Sequence, residues 1–373
     1  MSRAPKRLLM TADAVGGVWT YAVDLARGLS DRGVRTTLAV LGPSPGAAQA
    51  ACARAVPGLE MVETGLPLEW VEPDERKVRD ASWRLAELSD RVRADLIQIN
   101  SAALAAEDAF TVPIVVVAHS CVATWWSAVR GGAMPADFGW RSELVAEGYA
   151  NADAVVAPSA AFAAATARAY DLDRAPIVVR NGRRAPVRLS RPMVDDFVFT
   201  AGRLWDEGKN IVVLDRAASQ IQASMVAAGP LTGPHGQSAR FEHLGTPGSL
   251  GPAQVAQLLN ERPVFVSPAL YEPFGLSVLE AAQAGCPLVL ADIPTFRELW
   301  DGVADFFDPR DEQALATAVN GVLKSPNHRA RLGELARLRA RRYTAEAMAQ
   351  GMLGVYRSIM TSEPSVRGVE VAA

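Results

Sequence analysis

The sequence is poor in cysteine: Cys52, Cys121 and Cys286 are the three in 373 residues. Odd in number and far apart, they exclude a disulfide framework and a thiolate metal cluster, and they point to a reducing cytosol. No metal site is expected. Long apolar runs are missing too, and none reaches the roughly 20 residues that a membrane-spanning helix needs. Charge of one sign is equally scarce. The 38 Lys and Arg against 41 Asp and Glu leave a formal charge of −3. Neither half is strongly basic, which argues against nucleic acid as the partner. No strongly basic amphipathic helix stands out, so peripheral contact with a membrane surface is left open without a segment that demands it. The opening MSRAPKRLLMTADAVGG has only a brief apolar patch before a Gly turn and reads as a first strand rather than a signal peptide. A cytoplasmic protein is expected, with attachment at the inner face of the membrane as its variant. Apolar residues at 49% and charged residues at 21% are those of a globular protein. The length suits two domains rather than one core.

The first half alternates strands and helices. Residues 8–11 read as a strand, 12–17 as a loop ending in Gly16-Gly17, and 18–32 as a helix with Val18, Tyr21, Ala22, Leu25, Ala26 and Leu29 on one side. A strand at 36–41 follows. Strand, Gly loop, helix, strand opens a doubly wound α/β unit, although the Gly-Gly pair could simply relieve crowding at the turn. Further strands are expected at 59–62, 96–100, 113–118, 154–157 and 177–180, with helices at 74–93, 140–150 and 159–170. Several strands are nearly all apolar, as parallel strands buried on both faces are. Ligands gather at the carboxyl ends of such strands, where Asn100-Ser101, His119-Ser120 and Asn181-Gly182 sit. His119 should project into an interdomain crevice, although a His there also serves as a cap or core residue. Asn100 and Ser101 would line an acceptor pocket or cap the next helix, with capping preferred. Trp125-Trp126 and the Gly131-Gly132 loop would form a lid or pack beneath a loop. The basic stretch 182–192, with Pro186 and Pro192, reads as a linker.

A second α/β unit starts with a strand at 197–200 and continues through Gly202-Arg203-Leu204 to Lys209. Arg203 is a fork donor and Lys209 a point charge. Unless they are merely solvated, they suit a leaving group that gains negative charge. A strand at 225–228, a further strand at 241–245 and a helix at 252–259 follow. The centre of the chain is SPALYEPFGLSVLEAAQAGCP, residues 267–287, after a buried strand at 264–266. Pro273 suits a helix start. Gly275 lets a ligand approach the backbone, and the free N–H groups of Gly275, Leu276 and Ser277 suit an anion. Glu272 precedes that turn. Glu280 lies one turn beyond Leu276 on the same face, and its side chain leans back over the ligand site. A strand at 288–291 and helices at 312–323, 328–342 and 345–360 complete the chain. The last helix is amphipathic, with Met348, Met352, Tyr356 and Ile359, and the tail after Thr361 is expected to be disordered.

Glu272-Pro273-Phe274-Gly275-Leu276, Leu279-Glu280-Ala281 and Gly285-Cys286-Pro287 together resemble the donor-site motif of the retaining family 4 glycosyltransferases. Gly202-Arg203-Leu204 and Lys209 are similar to that family's Gly-Arg-Leu…Lys-Gly element, with Asn210 where Gly is usual. The resemblance runs over nearly the whole chain, its specific motifs mostly in the second half. It implies an α/β GT-B fold: two Rossmann-like doubly wound domains facing a central crevice. The acceptor-side domain would be 1–185 and the donor domain 186–344. A helix at 345–361 would cross back to the first domain, and 362–373 would be the tail. The chain departs from the family at Arg183-Arg184, where Asn181-Gly182 is usually followed by Val-Asp. Ala304-Asp305-Phe306 replaces the usual Gly-x-Leu. The second domain looks trimmed around 231–240 and in the helix before 225.

What the resemblance implies for function is a retaining, metal-independent hexosyltransferase. It would move a sugar from a nucleotide-sugar donor to a glycan, lipid or small-molecule acceptor, as in synthesis of a cell-surface polysaccharide or glycoconjugate. The catalytic residues would be His119, Glu272, Arg203 and Lys209. Donor binding would fall to Gly16, Gly17, Arg203, Lys209, Glu272, Phe274, Gly275, Leu276, Ser277 and Glu280. Glu280 would hold the ribose, Glu272 and His119 the sugar, and the backbone near 242–244 the base. No cofactor is expected besides the donor, and the sequence sets no oligomeric state. Two rivals stand beside this reading: an epimerase or hydrolase on the same fold, and a non-catalytic nucleotide-sugar-binding module.

Overall fold

The computed structural model describes residues 4–184, 196–234 and 236–361. From position 185 onward the expected linker lies outside these residues, as do the expected domain boundary and the 362–373 tail.

Seven strands form the first sheet: β1 (Arg7–Asp13), β2 (Arg35–Leu41), β3 (Leu59–Glu63), β4 (Leu96–Ile99), β5 (Ile114–Val117), β6 (Ala154–Ala157) and β7 (Ile177–Val178). Six form the second: β8 (Phe197–Ala201), β9 (Ser224–Ala228), β10 (Gly245–Gly248), β11 (Val264–Ser267), β12 (Leu288–Ala291) and β13 (Asp305–Phe307). The orders are β3-β2-β1-β4-β5-β6-β7 and β10-β9-β8-β11-β12-β13, with every pairing parallel. β4, β5, β11 and β12 are buried throughout, which explains why β5 and β12 are wholly apolar and why β4 and β11 each carry a single polar residue, Gln98 and Ser267. In each sheet the chain leaves the central pair, β1/β4 or β8/β11, on opposite faces. A crevice opens there beyond the carboxyl ends of the strands. These are the two doubly wound units that the sequence led us to expect.

The helices of the first unit are α1 (Gly17–Ser30), α2 (Ala47–Arg54), α3 (Glu75–Val92), α4 (Val122–Val129), α5 (Gly139–Asn151) and α6 (Ala160–Ala169). Those after β8 are α7 (Ile211–Ala217), α8 (Pro252–Asn260), α9 (Leu276–Ala284), α10 (Pro294–Trp300), α11 (Glu312–Lys324), α12 (Pro326–Ala340) and α13 (Ala345–Thr361). At 8, 8 and 7 residues, α2, α4 and α10 are too short to leave a readable helical period. The strand expected at 241–245 is displaced to β10. The reason is local: the backbone N–H groups of Glu242 and His243 donate to the Asp215 carboxylate at 3.1 and 2.9 Å, which withdraws them from a ladder.

Three features hold the two units face to face. The first is α13, whose Met348, Met352, Leu353 and Tyr356 are buried with Tyr21, Leu25 and Leu29 of α1 in the first unit's core. The second is the point where the chain passes itself. There Gly182 lies so close to residue 344 that a Cβ would fall 2.0 Å from the Thr344 carbonyl oxygen. The third is a cap that crosses the crevice. Glu298 of α10 accepts from the N–H groups of Ala160 and Ala161 at 3.0 and 2.7 Å, so a carboxylate of one unit satisfies the amino end of α6 in the other. Ser159 adds to it, donating to the Pro273 carbonyl at 2.8 Å while accepting from Phe162 N–H.

The α1–α13 crossing yields a test. A Cβ at Gly28 would lie 2.7 Å from Ala349 Cβ, whereas one at Gly354, on the same pair's outer side, meets nothing within 4 Å. Gly28→Ala should cost about 1–3 kcal/mol through overpacking. Gly354→Ala should stabilise by about 0.5–1 kcal/mol through helix propensity. Urea denaturation of the two variants checks this; equal effects would contradict the close crossing.

Candidate active site

The carboxyl ends of β1 and β8 bring the Gly16-Gly17 turn and Arg203 together. A Cβ on Gly16 would lie 3.8 Å from Arg203 Nη1, and one on Gly17 would lie 3.3 Å from Leu276 Cδ1. The amino ends of α1 and α9, one from each unit, therefore meet beside a guanidinium. Free N–H groups and the helix dipoles both favour an anion at such a place. Gly275, just before α9, has φ +90°, which a glycine adopts at no steric cost. Neither cation is loose. Arg203 Nη2 donates to Asp206 Oδ2 at 2.8 Å, and Lys209 Nζ donates to Glu272 Oε2 at 2.5 Å.

Glu280 of α9 sits against Arg183, whose Nη2 is 3.2 Å from its Oε1; Arg183 Nε is 3.3 Å from Asp24 Oδ2 on α1. The residue that departs from the family pattern thus stands between two carboxylates, one from each unit. Burial pushes the Glu280 carboxyl up, Arg183 opposes the shift, and Asp24 adds to it.

His119, after β5, is held from behind. Its Nε2 lies 3.0 Å from Asn100 Oδ1, which also accepts from Gln98 Nε2 at 3.0 Å, while Asn100 Nδ2 donates to the Thr11 carbonyl at 2.6 Å. An acceptor oxygen so placed assigns the proton to Nε2 and leaves Nδ1 as an acceptor. The ring stands edge-on to Tyr21 at 4.5 Å, and burial pushes its pKa down to about 3. Asn100 therefore does not cap a helix, the alternative preferred from the sequence; it stands in the wall of the cleft and orients His119. Ser101 does not cap with its side chain either. Its hydroxyl donates to Glu69 Oε2 at 2.5 Å.

Between the units lies a cleft of about 1180 Å³, lined by Asp13, Gly16, Gly17, Asn100, Ser101, His119, Trp125, Trp126 and Arg203, among others. Lys209, Glu272, Glu280 and the α9 turn are not among its walls. Burial pushes the carboxyls of Asp13 and Glu69 up, with Arg203 opposing this at Asp13 and Asp13 adding to it at Glu69. Arg141, stacked 4.3 Å over Trp140, donates to the carbonyls of Glu69 and Glu72 at 3.0 and 2.7 Å. Trp125 and Trp126 line the cleft, whereas the Gly131-Gly132 turn, which ends α4, does not.

Phe274 needs correction as a donor-binding side chain. It is 2% exposed, and its ring stands edge-on to Tyr343 at 5.8 Å, so it anchors the Gly275 turn to the core. Sequence reasoning missed Asp206, the partners of Arg183, which it marked only as a departure from the family pattern, and the cap made by Glu298. Asp206 left a local trace, since Asp-x-Gly is an Asx-turn pattern and its Oδ1 accepts from Gly208 N–H at 2.9 Å. The other two depend on chain segments more than 90 residues away.

The depressed His119 pKa carries a pH signature. The unfolded chain takes up a proton at this site below about pH 6.5, and the folded protein holds it off until about 3, so folding weakens as pH falls through that window. Between pH 7 and 5, wild type should lose roughly 1–2 kcal/mol more than His119→Gln. Denaturation at the two pH values measures it, and parallel losses would contradict a buried neutral imidazole.

Comparison with known proteins bears on the family and the fold. The family model described as Glycosyltransferase Family 4 matches residues 15–182, and that described as Glycosyl transferases group 1 matches 186–339. A glycogen synthase of Mycobacterium tuberculosis is 37% identical over 134 residues, 34% of this chain and 32% of that protein. A phosphatidyl-myo-inositol mannosyltransferase of Mycobacterium leprae is 31% identical over 129 residues, 34% of each. The matched stretch is thus about a third of these relatives' length. Among solved structures, a sucrose-phosphate synthase from Thermosynechococcus elongatus superposes with a TM-score of 0.80 at 18% identity, over 96% of this chain and 100% of that one. Anabaena HepE in complex with UDP-glucose superposes at 0.71 and 20% identity, over 94% and 99%. With its two units matched in turn by these models, the chain belongs to the family 4 type of glycosyltransferases and has the GT-B fold.

Proposed function

We propose that the protein transfers a sugar from a nucleoside-diphosphate donor to a hydroxyl acceptor with retention at the anomeric carbon. The observation that carries this reading is the meeting of the α1 and α9 amino ends beside Arg203, across the crevice. A departing diphosphate gains negative charge, and preorganised N–H groups and cations stabilise such charge best in a dry site. Arg203 and Lys209 would bind the diphosphate, with the backbone at Gly16, Gly17 and from Gly275 to Ser277. Glu280 would hold the ribose, sharing Arg183. Glu272 would hold the sugar hydroxyls, and Lys209 already fixes its carboxylate. His119, neutral and with Nδ1 free to accept, would take a sugar hydroxyl without repelling a carbon that gains positive charge. No side chain is assigned as the base; the leaving phosphate would take the acceptor's proton. The acceptor, a glycan, lipid or small molecule, would enter the cleft by Trp125, Trp126 and Glu69. The acceptor-side unit would end near residue 185, and the enzyme would work in the cytoplasm, free or at the membrane face.

A nucleotide panel read by thermal shift tests this first. A bound donor at about 100 times its dissociation constant stabilises by roughly 2.7 kcal/mol. UDP-glucose is the natural first donor, because a structural neighbour was solved with it. Arg203→Ala should weaken nucleoside-diphosphate binding at least about tenfold, since a charged hydrogen bond contributes roughly 1.5–3 kcal/mol. Calorimetry decides; an unchanged affinity sinks the clamp.

Glu272→Gln and His119→Ala should act on the reaction instead. Each should keep nucleotide affinity within about threefold and lower transfer on the order of 10²-fold, because their contacts strengthen in the transition state. Paired nucleotide titration and nucleoside-diphosphate release measure both. Tight donor binding without turnover by wild type, over a broad acceptor panel, would favour the binding module.

A further inference from the structure

Asp206 is 7% exposed and collects donors from both units. Arg203 Nη2 reaches its Oδ2 at 2.8 Å. Its Oδ1 accepts from Gly208 N–H at 2.9 Å and from the indole Nε1 of Trp125 at 3.1 Å. Trp125 belongs to α4, in the opposite unit. Gly208 makes room for it: a Cβ there would fall 2.7 Å from Trp125 Nε1 and 3.1 Å from Asp206 Oδ1. α4 and the residue that follows it grip the same face twice more, Thr124 Oγ1 lying 2.8 Å from the Tyr271 hydroxyl and Arg130 donating to Glu207 at 2.6 Å.

A guanidinium is a rigid planar fork, so fixing one arm aims the other. With Nη2 held by Asp206, Nη1 lies toward the Gly16 turn, where the donor's phosphates are placed above. The carboxylate that aims Arg203 is also the one that receives Trp125, a wall of the acceptor side. We propose that Asp206 is a positioning residue that couples the diphosphate clamp to the seating of α4. Through it, the acceptor wall is completed when Arg203 stands in its donor-binding orientation. In this role Asp206 acts through Arg203 and Trp125 rather than through a contact of its own with the substrate. The proposal rests on the donor-site reading above and adds the connection between the two halves of the cleft.

UDP serves as the probe, and the full chain is used throughout. Asp206→Asn keeps the shape and an oxygen for Trp125 and Gly208 but loses the charge that holds Arg203. It should bind UDP at least about fivefold more weakly by calorimetry, with a shallower dependence of affinity on salt, which a purely structural lesion would leave alone. Trp125→Phe keeps a ring and loses the N–H. Its UDP affinity should stay within about twofold, while small-angle scattering should show a larger UDP-bound radius of gyration than wild type. Wild-type affinity and salt dependence in Asp206→Asn would overturn the proposal. So would wild-type compaction in Trp125→Phe, which decides alone if Asp206→Asn does not fold. A wild-type protein that binds none of UDP, ADP and GDP would sink the donor-site reading and this proposal together; binding by wild type with both variants unaltered sinks the proposal alone.

Discussion

A parallel sheet offers its loops to a ligand at one end only, so two such sheets can share a ligand only when their carboxyl ends face each other. Much of this chain serves that constraint. The last helix leaves the second unit and buries its apolar face in the first. Gly182 permits the two chain crossings to touch. Glu298 completes the amino end of a helix in the opposite unit. These contacts hold five loops, after β1, β4, β5, β8 and β11, around one crevice, and Gly16, Asn100, His119, Arg203 and Glu272 lie on them.

Charge in that crevice comes in pairs. Arg203 is held by Asp206, Lys209 by Glu272, and Arg183 by Glu280 and Asp24. A carboxylate beside each cation keeps it from the cost of an unpaired, partly desolvated charge and fixes its direction. The pairs also divide the labour across the cleft. Cations and helix amino ends gather on the α9 side. The wall of the first unit carries Asp13, Glu69 and indoles, with Arg141 engaged by backbone carbonyls.

A second chain of polar groups reaches the crevice from below. Tyr356 of α13 donates to Gln98 Oε1; Gln98 donates to Asn100, and Asn100 Oδ1 receives His119 Nε2. The helix that crosses back between the units therefore ends in a network that sets the tautomer of the histidine facing the cleft. Such a network rigidifies its end members when every member is satisfied.

Both doubly wound units, the strand–turn–helix at Gly275 and the pair Arg203 and Lys209 were legible in the sequence. Each is a local pattern: an apolar run, a glycine turn, a helix start, a charge at fixed spacing. Tertiary structure alone decided the partners. Glu280 faces Arg183, nearly a hundred residues earlier, and the Trp125 indole reaches Asp206 from the other unit. Phe274, inside the most readable motif, turned into the core, because the turn that frees Gly275 needs an anchor against Tyr343. A strand or a turn follows from interactions a few residues apart, which a sequence displays in order. A salt bridge across a crevice follows from how two finished units are seated, and no spacing in the chain records that.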